Sequence, residues 1–145
     1  MFKVVLDTNA LVSARLRPDG NCGELLRLAA AGAFEIVLSA PILAELHDVL
    51  HRPRIQKRLG ADPERVALEY VQAIYAAGRM VTDLPEVSLV VDDPNDNHVA
   101  AAALASGADY LVSGDQDLLV LDVVGSTRCV TPATFLAILR ERAAK

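Results

Sequence analysis

The feature that most restricts the fold of this chain is an alternation in its first third. A short β-branched or aromatic run is followed by residues that cap a helix, and the unit then repeats. Phe2–Leu6 has the near-continuous apolar character of a central strand buried on both faces. It stops at Asp7-Thr8-Asn9, three residue types that cap helices readily, and residues 10–16 then read as a short helix. Arg17-Pro18-Asp19-Gly20-Asn21 has the composition of a turn, and residues 22–31 read as a helix stopped by Gly32. Phe34–Leu38 is a second strand, after which Ser39 and Pro41 open a helix running to about His51. Strand, helix, strand, helix predicts a parallel sheet with helices on its faces.

The middle of the chain is more helical. Residues 53–59 can form a short helix broken by Gly60, and Asp62-Pro63 starts another to about Gly78. Its packed side is expected to carry Val66, Tyr70, Val71, Ile74 and Tyr75. Residues 80–82 read as a short strand, and residues 87–91 as another or as an extended lead-in. Asp93-Pro94 is expected to begin a helix ending at Ser106-Gly107. Residues 110–113 and Thr127–Val130 are further strands, and Thr131-Pro132 opens the last helix. With no repeat, linker or low-complexity tract in 145 residues, the pattern predicts one domain, 1–145, of three-layer α/β/α architecture around a mostly parallel sheet.

A charge anomaly lies across this pattern. No Lys or Arg occurs between Arg79 and Arg128, yet nine acids do: Asp83, Glu86, Asp92, Asp93, Asp96, Asp109, Asp115, Asp117 and Asp122. Right-handed crossovers place every strand-to-helix turn on one edge of a parallel sheet, where ligands of open α/β folds bind. Asp7, Glu45, Asp96 and Asp115 all fall on that rim. Each has a plainer reading. Asp7 can be a strand-end cap, Asp96 a first-turn acid if Asp93 is the N-cap, and Asp115 and Asp117 can simply flank a turn. Glu45 lies about 60° from Ile42 on a helical wheel, on the flank of the apolar arc, which aims it along the sheet edge. Carboxylates crowded at a packed edge need a shared proton or a bound cation. A carboxylate set with no Cys or His ligand suits Mg²⁺ or Mn²⁺ and not zinc. His47, His51 and His98 read as structural or solvated residues.

Four pieces of the chain, in order, carry a resemblance. They are Val5-Leu6-Asp7-Thr8-Asn9, Leu43-Ala44-Glu45-Leu46, Asp93-Pro94-Asn95-Asp96-Asn97 and Ala108-Asp109-Tyr110-Leu111-Val112-Ser113-Gly114-Asp115-Gln116-Asp117. With them the chain resembles a PIN domain, the fold of many prokaryotic toxin-type ribonucleases. The resemblance implies an acidic site of Asp7, Glu45, Asp96 and Asp115, with Asp117 as a fifth member and Asn9 and Ser113 as polar support. Ser113 stands where threonine is more usual, and keeps the hydroxyl. Asp7, Asp96, Asp115 and Asp117 would bind Mg²⁺ or Mn²⁺, while Glu45 is either a further ligand or the group that orients water. The implied activity is metal-dependent hydrolysis of single-stranded RNA by the toxin of a toxin-antitoxin pair. An antitoxin partner burying its tail at the active rim and a homodimer through helices are implied as well.

The formal net charge of −5 excludes nucleic-acid binding through bulk positive charge. Local patches remain. His51-Arg52-Pro53-Arg54-Ile55-Gln56-Lys57-Arg58 supplies Arg52, Arg54, Lys57 and Arg58, and Arg15 and Arg17 follow the Asp7 turn. Either group can hold RNA phosphates, or be a solvated face or partner contact. Few aromatics are present to stack bases. Cys22 and Cys129 have no metal-ligand spacing and fit free thiols in a reducing cytoplasm. The N-terminal run meets Asp7 too early for a signal peptide, and the longest apolar run, residues 99–105, is far short of the ~18 residues that cross a bilayer. A non-catalytic PIN-fold RNA-binding or scaffold module is the alternative reading, which the intact acid set disfavours. A phosphoacceptor receiver domain would need a lysine after a late strand, and the Arg79 to Arg128 gap has none.

Overall fold

The structure, a computed structural model, describes residues 1–88 and 96–144. Five strands form the body of the sheet: β1 (Phe2–Leu6), β2 (Phe34–Leu38), β3 (Arg79–Met80), β4 (Tyr110–Val112) and, after the two-residue β5 (Val123–Val124), β6 (Thr127–Val130). The helices among the described residues are α1 (Thr8–Leu16), α2 (Asn21–Ala30), α3 (Ala40–Leu50), α4 (Pro53–Gln56), α5 (Pro63–Ala77), α6 (Asn97–Ser106), α7 (Gln116–Leu119) and α8 (Pro132–Ala144). Strand order is β3-β2-β1-β4-β6-β5, with every pairing parallel except the antiparallel β5–β6 edge. The expected mixed α/β fold with a mostly parallel sheet is therefore what forms.

Burial explains the order. Val4, Val5 and Leu6 of β1 are at most 3% exposed, which suits a strand flanked by β2 and β4 and covered on both faces. On one side Phe135 of α8 packs edge-on against Phe34, at 5.2 Å between ring centroids, and tilts over Tyr110 and Phe2. The alanine-rich α6, with residues 99–103 buried, lies against β1, β2 and β4, since methyl side chains let a helix approach a sheet closely. From the β1–β4 pair the chain winds outward in both directions, so a crevice opens at the carboxyl ends of these two strands.

Local signals set most boundaries. Ser39 caps α3 by accepting the Ile42 N–H, Asp62 caps α5, and Gly107 ends α6 in the left-handed conformation at φ 62°. Several expectations need correction. β3 covers residues 79–80 and not 80–82, residues 87–88 are not in a strand, and the helix expected over 53–59 stops at Gln56. In α5 the buried stripe is Ala67 and Ile74 with Tyr70 between them, and Tyr75 is 58% exposed, because only a narrow seam of α5 meets α3. α7 and the hairpin edge β5 are additions, the hairpin closing through Gly125 at φ 59°. The expected helix start at Asp93-Pro94, and residues 89–91 of the lead-in, lie outside the described residues. No helix among the described residues is long and apolar enough to cross a membrane.

Candidate functional site

The site forms where the sheet order reverses. Asp7 directly follows β1 and its extended backbone makes it the N-cap of α1. Its Oδ1 accepts the Ala10 N–H at 2.7 Å, and its Oδ2 accepts the hydroxyl of Ser113 from the end of β4. Asp7 is 3% exposed, and that burial pushes its carboxyl above the ordinary value. The bonds from Ser113 and Ala10 pull the other way, and the nearby charges of Asp115 and Glu45 push it up again. Two donors thus favour the charged form of Asp7 against the cost of its burial.

Ser113 works in both directions. Besides donating to Asp7, its fully buried Oγ accepts the Asp115 N–H at 2.9 Å, and Asp115 Oδ1 in turn accepts the Asp117 N–H at 2.9 Å to cap α7. This tight turn presents two acids to Asp96, the residue preceding α6. One carboxylate oxygen from each of Asp96, Asp115 and Asp117 lies within 4.8 Å of the others, all three side chains being half-buried. Three carboxylates at that spacing repel unless a cation lies among them. An all-oxygen donor set fits a hard divalent ion such as Mg²⁺ or Mn²⁺.

Glu45 stands in the second turn of α3, half-buried, and faces the rim from the β2 side. Its Oε2 accepts two bonds, from the Thr8 hydroxyl at 3.1 Å and from His98 Nε2. Because a carboxylate only accepts, the imidazole is the donor. Thr8 is 3% exposed and His98 is the second residue of α6, so three helices meet at this one oxygen.

The five acids expected from the sequence therefore lie on one rim. Asp96, Asp115 and Asp117 form the tight group, Asp7 is joined to it through Ser113, and Glu45 flanks it. Asn9 is exposed, and it is Thr8 that reaches Glu45. Arg15 is half-buried; Arg17, Arg52, Arg54, Lys57 and Arg58 are exposed. Of these, Arg52 shares with Glu45 and His98 a cleft of about 390 Å³ that Pro41, Ala44 and Asp48 complete. His47 and His51 stack with ring centroids 4.1 Å apart, His47 lies 3.5 Å from Asp48, and His51 bonds the His47 carbonyl, as structural or solvated residues do. From the sequence Thr8 reads as a helix-capping residue and His98 as structural or solvated, and neither reading ties it to Glu45, which both reach. The available signal was position, since one follows Asp7 directly and the other lies two residues beyond Asp96.

An acid-rimmed crevice at the switch point of a parallel sheet, with an all-carboxylate donor group, defines the class to which this site belongs. A profile of the PIN domain matches residues 3–117, and the chain belongs to the PIN-domain family. PIN domains are generally nucleases that bind divalent metal. An uncharacterized protein of Methanocaldococcus jannaschii is 30% identical over 120 residues, covering 83% of this chain and 75% of that one. Among solved structures, PAE2754 from Pyrobaculum aerophilum shares the fold at a TM-score of 0.61 and 18% identity, over 99% of this chain and 91% of the other. VapBC2 from Rickettsia felis, solved bound to a DNA fragment from its promoter, aligns at 0.56 and 15% identity, over 89% and 98%. The T. brucei RRP44 PIN domain aligns at 0.53 and 16% identity, over 97% and 82%.

Proposed function

We propose that this chain is a Mg²⁺- or Mn²⁺-dependent endoribonuclease that hydrolyses phosphodiester bonds of single-stranded RNA, as the toxin of a toxin-antitoxin pair. The observation that carries the reading is the approach of Asp96, Asp115 and Asp117 to within 4.8 Å, with Asp7 and Glu45 beside them. These residues descend from four separate parts of the chain, and a set of unrelated helix caps has no reason to converge.

Asp96, Asp115 and Asp117 would hold the ion, with Asp7 adjoining, directly or through water. When bound, the metal supplies an acidified water and offsets charge on the departing oxygen. Ser113 orients Asp7 and opposes the rise that burial imposes on its carboxyl. Glu45, on the flank, either completes the donor set or turns the attacking water toward phosphorus, in line with the oxygen that leaves. Arg52, which lines the Glu45 cleft, is the cation best placed to meet an RNA phosphate, and Arg54, Lys57, Arg58, Arg15 and Arg17 extend that contact outward. The partners in this reading are a cognate antitoxin covering the acid rim and a second copy of the chain, in the cytoplasm, where free Cys22 and Cys129 are at home.

The test is direct. Purified protein with Mg²⁺ or Mn²⁺ is expected to cut a labelled single-stranded RNA, to stop in excess EDTA, and to lose at least ~100-fold in rate in Asp115→Asn. Cleavage that survives EDTA would remove the metal from the mechanism, and full activity in Asp115→Asn would remove the site.

A further inference from the structure

Glu45 is an awkward residue to keep in place. It projects toward other acids, and its negative charge is felt at the buried carboxyl of Asp7. A glutamate side chain with three rotatable bonds would relieve that repulsion by swinging into the cleft beside Arg52. It does not, because Oε2 is held from two sides, by Thr8 on α1 and by His98 on α6.

The imidazole has little else to do. His98 Nδ1 is buried with no hydrogen-bond partner among the described residues, so the bond from Nε2 to Glu45 is the polar contact the ring makes there. A histidine serving the packing of α6 alone would be more stable as an apolar residue, since an unsatisfied buried nitrogen is unfavourable. The ring also stands on the wall between two surface clefts, the one lined by Arg52 and Glu45 and another of about 360 Å³ bordered by Leu84, Val87 and Ala101.

We propose that His98 is a positioning residue for the nuclease reaction: together with Thr8 it fixes one oxygen of Glu45 and thereby leaves Oε1 aimed at the acid cluster. This rests on the reading of the site as a ribonuclease centre. His98 acts through Glu45 and neither attacks nor carries a proton in the reaction. Three consequences separate this role from a structural one. Loss of the imidazole lowers turnover and leaves RNA affinity alone, glutamine substitutes in part because its side-chain N–H reaches a similar position, and nothing further is lost once Glu45 itself is gone.

The experiment compares wild type with His98→Ala, His98→Gln, Glu45→Gln, the His98→Ala/Glu45→Gln pair and Asp115→Asn. Steady-state cleavage of one fluorescent RNA is measured in Mg²⁺, alongside melting temperatures and imidazole ¹⁵N spectra of the metal-free proteins. His98→Ala is expected to lose about 10- to 100-fold in kcat, the usual range for a residue that orients a functional group, with KM within about threefold. His98→Gln recovers part of that loss, and the double variant equals Glu45→Gln alone. In the spectra the His98 Nε2–H signal of the wild type is expected to move on Glu45→Gln, a readout that needs no turnover. His98→Ala cutting like wild type, a rise in KM alone, additive losses in the double variant, or an imidazole signal indifferent to Glu45→Gln would each overturn the assignment while leaving the ribonuclease reading intact. A wild-type chain that cuts no RNA, or an Asp115→Asn variant as active as wild type, would overturn that reading and this inference with it. If His98→Ala melts far below wild type, His98→Gln and the spectra decide.

Discussion

Ser113→Ala is the change whose effect can be worked out most fully from the structure. The hydroxyl is fully buried and holds two groups at once, donating to the Asp7 carboxyl and accepting the Asp115 N–H. A bond to a charged group contributes about 1.5 to 3 kcal/mol, and a backbone N–H left without its acceptor adds roughly 1 kcal/mol more. Ser113→Ala is therefore expected to destabilise the metal-free protein by about 3 kcal/mol at a pH where Asp7 is ionised, roughly 10 °C in melting temperature for a chain of this size. The loss has a sign in pH. Burial raises the folded-state value of Asp7 above its unfolded value, so the protonated form is the one folding favours. Stability tied to Asp7 is present in full below the unfolded value and is lost as pH rises through the folded one. The Ser113 bond opposes that loss by stabilising the ionised form, so removing it raises the folded value further. The deficit of Ser113→Ala should accordingly be greatest above the folded-state value of Asp7 and shrink as pH falls through it and Asp7 takes up its proton. Urea unfolding of both proteins in EDTA at several pH values measures this. A deficit of equal size at every pH would mean that the hydroxyl does not favour the charged form of Asp7, and the argument that Ser113 serves that carboxyl would fall.

Two further outcomes test the rim. Asp96→Asn removes one of three crowded carboxylates and is expected to leave the EDTA-treated protein as stable as wild type or more so, while Mg²⁺ at about 100 times its Kd raises wild-type stability by about 2.7 kcal/mol and the variant's far less, read from melting curves; a destabilised variant with no Mg²⁺ effect on wild type would reduce Asp96 to a helix-terminal acid. Replacing Arg52, Arg54, Lys57 and Arg58 together with Gln is expected to weaken RNA binding and flatten its salt dependence with little change in melting temperature, and an unchanged salt slope would return these residues to the solvent.

Much of the fold was legible because its signals are local. Phe2–Leu6 and Phe34–Leu38 are apolar runs bounded by capping residues, Gly107 marks a helix end, and Thr131-Pro132 marks a start. The convergence of acids was legible too, since handed crossovers turn a list of strand ends into a single edge. What escaped had weaker local signals. α7 and β5 span four and two residues, too few for any periodicity to register. The Gly125-Ser126 turn was the available clue to the hairpin. In α5 the larger side chain looked like the buried one, but a narrow seam takes Ala67 and leaves Tyr75 outside. His98 and Thr8 escaped for a different reason. Which side of a short turn meets Glu45 depends on how α1, α3 and α6 lean on one another, and that orientation has no one-dimensional trace.

The bond between Ser113 and Asp7 joins residues 106 positions apart. While the chain is being made, Asp7 and Glu45 emerge early, but Asp115 and Asp117 lie in its last quarter. The central strand β1 has then had β2 as its neighbour for a long stretch of synthesis, with the β4 side of the sheet still to be filled. Closing so long a loop is entropically slow, and nothing short of that closure brings Asp7 to Asp115 and Asp117. An incomplete chain of this design carries Asp7 and Glu45 without the acids they are to join. The order in which the polypeptide is laid down thus delays assembly of the acid rim until the sheet is whole.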